Sequence, residues 1–231
     1  MQLRNAVVFI SGANRGLGLA FARAALAAGA AKVYAAARDP ASVTLPGVVP
    51  VALDVTDAAQ VAEAAARCGD VTLLVNNAGI SLNAPVLGAD AIAAARRSFD
   101  TNVFGLWQLS QAFAPVLRAN GGGAVLNVLS ALTWVSLPGT AGYSASKAAA
   151  WAVSNALRGE LREQGTQVTS LHVGYMDTDM TRGIDAPKTS PDAVAQAALA
   201  AVQEGAAEVL ADDISRQVKA SLSSATPAYV R

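Results

Sequence analysis

Short apolar runs recur along this 231-residue chain, each followed by a longer alanine-rich stretch of helical period. That alternation limits the fold more than any other feature of the sequence. The apolar runs fall at 6–11, 32–36, 48–53, 72–76, 124–130, 167–172 and 208–210. The helical segments fall near 17–28, 58–67, 89–119, 143–163 and 191–204. The runs are apolar throughout rather than alternating, as strands buried on both faces are. Repeated βα units with right-handed crossovers then predict a Rossmann-type α/β fold. Its doubly wound parallel sheet has about seven strands and helices on both faces. Between the second and third runs, 38–47 holds Pro40 and Pro46 and is too short for a full helix. No linker or composition shift divides the chain, so 1–231 is expected to form one domain. Its polar, serine-rich tail, 213–231, has room for one short helix.

Composition removes several classes of function. Hydrophobic residues make up 53% and charged ones 15%, which excludes disorder for most of the chain. The formal net charge is zero with no basic run, so the electrostatic footprint of a nucleic-acid binder is missing. One cysteine, Cys68, and one histidine, His172, leave no internal disulfide and no His- or Cys-based metal cluster. No run reaches the ~18 apolar residues of a membrane span, and the first run is too short for a signal segment. A cytoplasmic protein is the resulting expectation.

Ser11-Gly12-Ala13-Asn14-Arg15-Gly16-Leu17-Gly18 links the first strand to the first helix. Glycines there permit a tight turn and let backbone N–H groups approach a pyrophosphate at the helix N-terminus. The spacing is Gly-x3-Gly-x-Gly, not the G-x-G-x-x-G fingerprint, so position between strand and helix carries the reading. Further along, Asp54-Val55 follows the third strand and Asn76-Asn77-Ala78-Gly79 follows the fourth. Asn102 lies inside 89–119, Ser130 ends the fifth strand, and Tyr143-x3-Lys147 opens the next helix.

This ordered set, spread over residues 3–211, resembles the short-chain dehydrogenase/reductase family, with Ser11 standing where its first motif has threonine. The resemblance implies a nicotinamide cofactor held by Gly12, Asn14, Arg15, Gly16, Leu17, Gly18, Asp54, Val55, Asn76, Ala78 and Gly79. It implies that Tyr143 exchanges a proton with the substrate oxygen while Ser130 orients the substrate. Lys147 would lower the tyrosine pKa and hold the nicotinamide ribose, and Asn102 would position a relay water. The family's Pro-Gly after the sixth strand is here Val173-Gly174, so only Gly174 and Thr178 are carried over.

The chemistry stands beside the resemblance. Tyr143 and Lys147, four apart, share a helix face, and a nearby ammonium favours a phenolate. That suits Tyr143 for acid/base work. A serine at a strand's carboxyl end can donate to an oxygen gaining negative charge. Where the second strand ends, an acidic residue would bind a ribose 2′-OH and an arginine a 2′-phosphate. The chain has Ala37-Arg38 there, with Arg15 as a second candidate, so NADP(H) is expected. Asp39 is the nearest acid that a backbone shift would bring to the ribose.

The expected function is therefore NADP(H)-dependent interconversion of a carbonyl and an alcohol. The alternative is a catalytically idle nicotinamide-binding regulator, which retention of Tyr143, Lys147 and Ser130 disfavours. His172 reads as a structural histidine. Ser190-Pro191 reads as an N-cap and first turn, leaving a short lid at 179–189. Leu132, Trp134, Val135 and Met180 are candidate pocket walls. Apolar residues on several helix faces, including Phe104, Trp107, Phe113 and Trp151, predict a homodimer or homotetramer.

Overall fold

A computed structural model describes residues 1–230 of the chain. The last residue of the expected tail, Arg231, lies outside the described residues. Seven parallel strands form one sheet in the order β3-β2-β1-β4-β5-β6-β7. They are β1 (Val7–Ser11), β2 (Lys32–Ala37), β3 (Val49–Ala52), β4 (Leu73–Asn76), β5 (Gly123–Val128), β6 (Thr166–His172) and β7 (Glu208–Leu210). The order reverses between β1 and β4, and the crevice outside the carboxyl ends at such a switch point is where ligands bind in these sheets.

Strand pleating divides each apolar run between two cores. Val8, Ile10, Leu73, Val75, Ala124 and Leu126 pack with α1 (Gly16–Ala27) and α6 (Pro191–Glu204) on one face. Phe9, Leu74 and Val125 face the other way. They meet α2 (Ala58–Arg67), α4 (Leu106–Ala119) and α5 (Ala141–Glu160). Both faces being covered explains why the runs lack alternation. Between β2 and β3 the chain makes only a 3-10 turn, Pro40–Ser42, as its length and prolines require.

Several expected boundaries move. The helix expected across 89–119 is three pieces: α3 (Ala91–Phe99), a π-helical turn (Asp100–Gly105) and α4. At its end Gly105 presses on Val55, where an added Cβ would lie 2.7 Å from Val55 Cγ2. Periodicity cannot report one wide turn between two good helices. β5 stops at Val128 rather than 130, because Ser130 caps a 3-10 turn (Ala131–Thr133) by accepting from Leu132 N–H at 3.1 Å. α5 opens at Ala141, two residues before Tyr143. Ser190 makes no side-chain cap, so Pro191 alone marks the start of α6. The tail does form one short helix, α7 (Asp213–Ser221), capped by Asp212.

Candidate active site

A cleft of about 1650 Å³ runs along the carboxyl ends of the strands. Gly12, Asn14, Arg15, Gly16, Leu17, Arg38, Asp54 and Val55 line it. So do Ala78, Gly79, Ser130, Tyr143, Lys147, Gly174 and Thr178. Residues from seven separate motifs thus face one space, although they span most of the sequence.

The glycine-rich loop is shaped by backbone geometry. Gly12 and Gly16 adopt φ of +67° and +54°, a region that disfavours side chains. Arg15 stands at the N-cap of α1 without a side-chain cap, and no acid occupies the first turn. The positive end of the helix dipole therefore opens on the cleft unmatched. Gly18 does not line the cleft. An added Cβ there would lie 2.1 Å from Gly12 O, so this glycine serves close packing of helix on loop.

Two of the expected asparagines also turn inward. Asn76 is buried, donating to Ser110 Oγ at 2.9 Å and Asn127 Oδ1 at 2.8 Å. Its neighbour Asn77, which the sequence reading passed over, lines the cleft and donates to Ser11 O and Gly12 O at 2.9 and 3.0 Å. Asn102 is buried in the π-helical turn. It accepts from Ile80 N–H and donates to Ile80 O and Ser146 Oγ, each at 2.9 Å. Ser146 in turn donates to Tyr143 O at 2.7 Å. The Asn102 side chain thus ties the segment after β4 to the first turn of α5. Asn102 itself does not line the cleft.

Tyr143 and Lys147 share one face of α5, as their spacing requires. The expected electrostatics need correction. Burial raises the Tyr143 phenol above its ordinary pKa, and the Ser130 hydroxyl, hydrogen-bonded to it, only partly opposes this. Lys147 makes no hydrogen bond to the phenol. Its Nζ lies 5.7 Å from the tyrosine ring centroid and donates to Val128 O at 2.9 Å. Burial without a carboxylate partner lowers the lysine from 10.5 to about 8. The protein alone therefore holds Tyr143 protonated at neutral pH.

On the far side of β1, exposed Arg38 makes no ion pair among the described residues. Arg15 pairs with Asp179 at 3.4 Å, across the mouth of the cleft. Asp39 is turned into its own loop, accepting from Ala41 N–H at 3.0 Å. Asp54 accepts from Thr56 N–H at 2.9 Å and from Thr56 Oγ1 at 2.7 Å, fixing the turn after β3.

His172 is structural, as expected. Its buried ring stacks on Trp134 at 4.1 Å, Nδ1 lies 3.2 Å from Ser130 O, and burial lowers its pKa to about 4. Trp134 and Val135 are accordingly not part of the cleft wall, whereas Leu132 and Met180 are. Asp212 and Ile214, unmarked by any motif, were missed. A cap of the form Asp-x-x-Ser at 212–215 was the available signal.

Among the described residues, no cluster of His, Cys, Asp or Glu has metal-binding form, and no helix is long and apolar enough to cross a membrane.

The short chain dehydrogenase family model matches residues 6–189. A short chain dehydrogenase from Burkholderia cenocepacia J2315, solved in complex with NADP, is 41% identical. It superposes with a TM-score of 0.93 over 97% of this chain and 95% of its own. The galactitol 2-dehydrogenase (L-tagatose-forming) of Cereibacter sphaeroides is 37% identical over 191 residues, covering 78% of this chain and 75% of the relative. Dehydrogenase/reductase SDR family member 7B of Bos taurus is 34% identical over 197 residues, covering 78% of this chain but only 60% of the relative's length.

Proposed function

Because the chain belongs to the short-chain dehydrogenase family of oxidoreductases, we propose that it is an NADP(H)-dependent carbonyl reductase, with Ser130, Tyr143 and Lys147 at its reacting centre. The observation that carries this reading is the meeting of that trio with the glycine-rich loop in a single cleft.

The residues suit a dinucleotide phosphate. The uncapped α1 N-terminus and the backbone of the turn that Gly12 and Gly16 shape would take the pyrophosphate. Exposed Arg38, free of any ion pair among the described residues, would take the 2′-phosphate, and no carboxylate at position 37 opposes it. The NADP-bound relative supports the same choice. Asp54 and Val55 would flank the adenine, and Gly174 and Thr178 the nicotinamide. Bound there, the cofactor supplies the hydride.

The chain's own groups supply the rest. Ser130 donates a hydrogen bond to the substrate oxygen as its charge grows, and Tyr143 gives that oxygen its proton. A phenol held protonated by burial suits a proton donor. Lys147, with a pKa near 8, carries positive charge at neutral pH beside the phenol and stabilises the phenolate left behind. Asn102 acts through Ser146 and Ile80 as a positioning residue.

The subunits are proposed to pair through the α4–α5 surface, where Trp107 remains 49% exposed. A monomer mass in light scattering at working concentration overturns the pairing. NADPH consumption across a panel of aldehydes, ketones and diketones tests the reductase reading. Turnover of some member supports it. Tight NADPH binding with no turnover across a broad panel supports the idle regulator.

A further inference from the structure

The half of the cleft beyond Tyr143 has its own chemistry. Its wall comes from three connections: Leu132 and Leu137 after β5, Tyr175 and Met180 after β6, and Ile214 after β7. Leu137, Met180 and Ile214 are 43%, 54% and 39% exposed, among the few large apolar side chains the fold leaves open. Single exposed apolar residues are ordinary in soluble proteins. Three lining one cleft from separate connections mark a surface built to be covered.

Charge on this wall is already spent. Asp179 pairs with Arg15 and with Arg182. Lys147 is buried and directed to Val128 O. Asp212 gives one carboxylate oxygen to Gly174 N–H at 2.6 Å and the other to Ser215 N–H at 2.8 Å. That clamp sets α7 against the loop after β6. Gly174 allows the approach, since an added Cβ would lie 3.0 Å from Asp212 Oδ2 and 3.4 Å from Ile214 Cβ. Besides buried Lys147 and Arg38 beside the glycine-rich loop, Arg97 is the cleft-lining cation without an ion pair among the described residues, and it enters from the exposed side of α3, ahead of α4.

Resting on the reductase reading above, we infer that the substrate is an uncharged ketone or aldehyde with an apolar body, seated against Leu137, Met180 and Ile214, with α7 as the far wall. A carboxylate or phosphate on that body would lose its hydration against hydrocarbon without gaining a counter-charge.

The test is steady-state NADPH oxidation by the intact chain with two matched series. One is methyl ketones lengthened one methylene at a time; the other ends the same skeletons in a carboxylate. For the ketones kcat/KM rises about fourfold per buried methylene until the wall is covered. The terminal carboxylate lowers it at least ~100-fold. Ile214→Asp lowers ketone kcat/KM about tenfold or more and leaves the NADPH Kd unchanged. Met180→Arg, at an exposed position, narrows the ketone-to-carboxylate gap by about tenfold. A flat methylene series, or keto acids used as well as ketones by the wild type and lost in Arg97→Ala, overturns the inference. Failure of every carbonyl compound to consume NADPH is a different result: it overturns the reductase reading and this inference with it.

Discussion

The two halves of the cleft are built by unlike means. Around the glycine-rich loop, backbone groups and short polar side chains do the shaping, and neighbouring strands are tied together directly. Ser11 Oγ accepts from Asn77 N–H and Ala78 N–H at 3.0 and 3.1 Å, while Asn77 returns two bonds to the loop. Beyond Tyr143, apolar side chains from three distant connections make the wall, and one carboxylate, Asp212, anchors α7. The first half is specified residue by residue because a dinucleotide demands fixed donors. The second needs only shape and hydrophobicity, which many sequences satisfy. A family can therefore keep the one and vary the other.

The sharpest way to break this comparison is at the point where the halves meet. Tyr143→Phe should lower kcat by about 100- to 10,000-fold and leave NADPH affinity intact, as titration against single-turnover rates would show. Reduction at near wild-type rate would remove Tyr143 as the proton donor and dissolve the boundary drawn here.

Lys147 offers a stability test at the same boundary. Its folded pKa, about 8, lies below the unfolded 10.5, so the unfolded chain binds more protons between those values. The group therefore makes stability rise with pH from about 8 to 10.5, by roughly 3 kcal/mol. Cys68, raised to about 11 by burial, opposes this above pH 9 in any variant that keeps it. The difference in Tm between wild type and Lys147→Met, followed across that window, isolates the lysine. Parallel curves would mean that Lys147 is not buried as a charge.

A third experiment acts on the cofactor half alone. Arg38→Ala should weaken NADPH binding roughly 10- to 150-fold and leave NADH nearly unchanged. Arg15 is already engaged by Asp179, so Arg15→Ala should cost less, with the double mutant showing any shared load. A ratio of the two nucleotides unmoved by both changes would reject the phosphate assignment. Ala37→Asp should push the preference further toward NADH, since a carboxylate repels the phosphate and accepts from a ribose hydroxyl.

The mildest change acts on the substrate half alone. Asp212→Ala removes the cap of α7 and should cost about 1 kcal/mol in thermal or denaturant unfolding. Loosened α7 should raise the substrate KM while the NADPH Kd stays put. Equal damage to both constants would show that the halves are not separable.

How much was legible beforehand follows from the range of the forces involved. Local pattern was enough for the seven strands, the missing helix between β2 and β3, and the single sheet, because burial on both faces leaves continuous apolar runs. It was also enough for Tyr143 and Lys147, since helical geometry fixes how residues four apart are placed. Tertiary structure decided matters that depend on what a residue meets. Asn76 faces the core and Asn77 the loop because β4 sits between β1 and β5. Asn102 is turned toward Ile80 by a π-helical turn that no periodicity announces. Burial reversed the expected direction of the Tyr143 shift, and Val128 O rather than the phenol accepts from Lys147. Ile214 became a cleft residue only through the bond from Gly174 N–H to Asp212, 38 residues further along the chain. The sequence by itself determined the order of elements and the choice of the proposed reacting groups, whose geometry is local. Their protonation, partners and surroundings are set by desolvation and by contacts between distant segments, which exist only once the chain is folded.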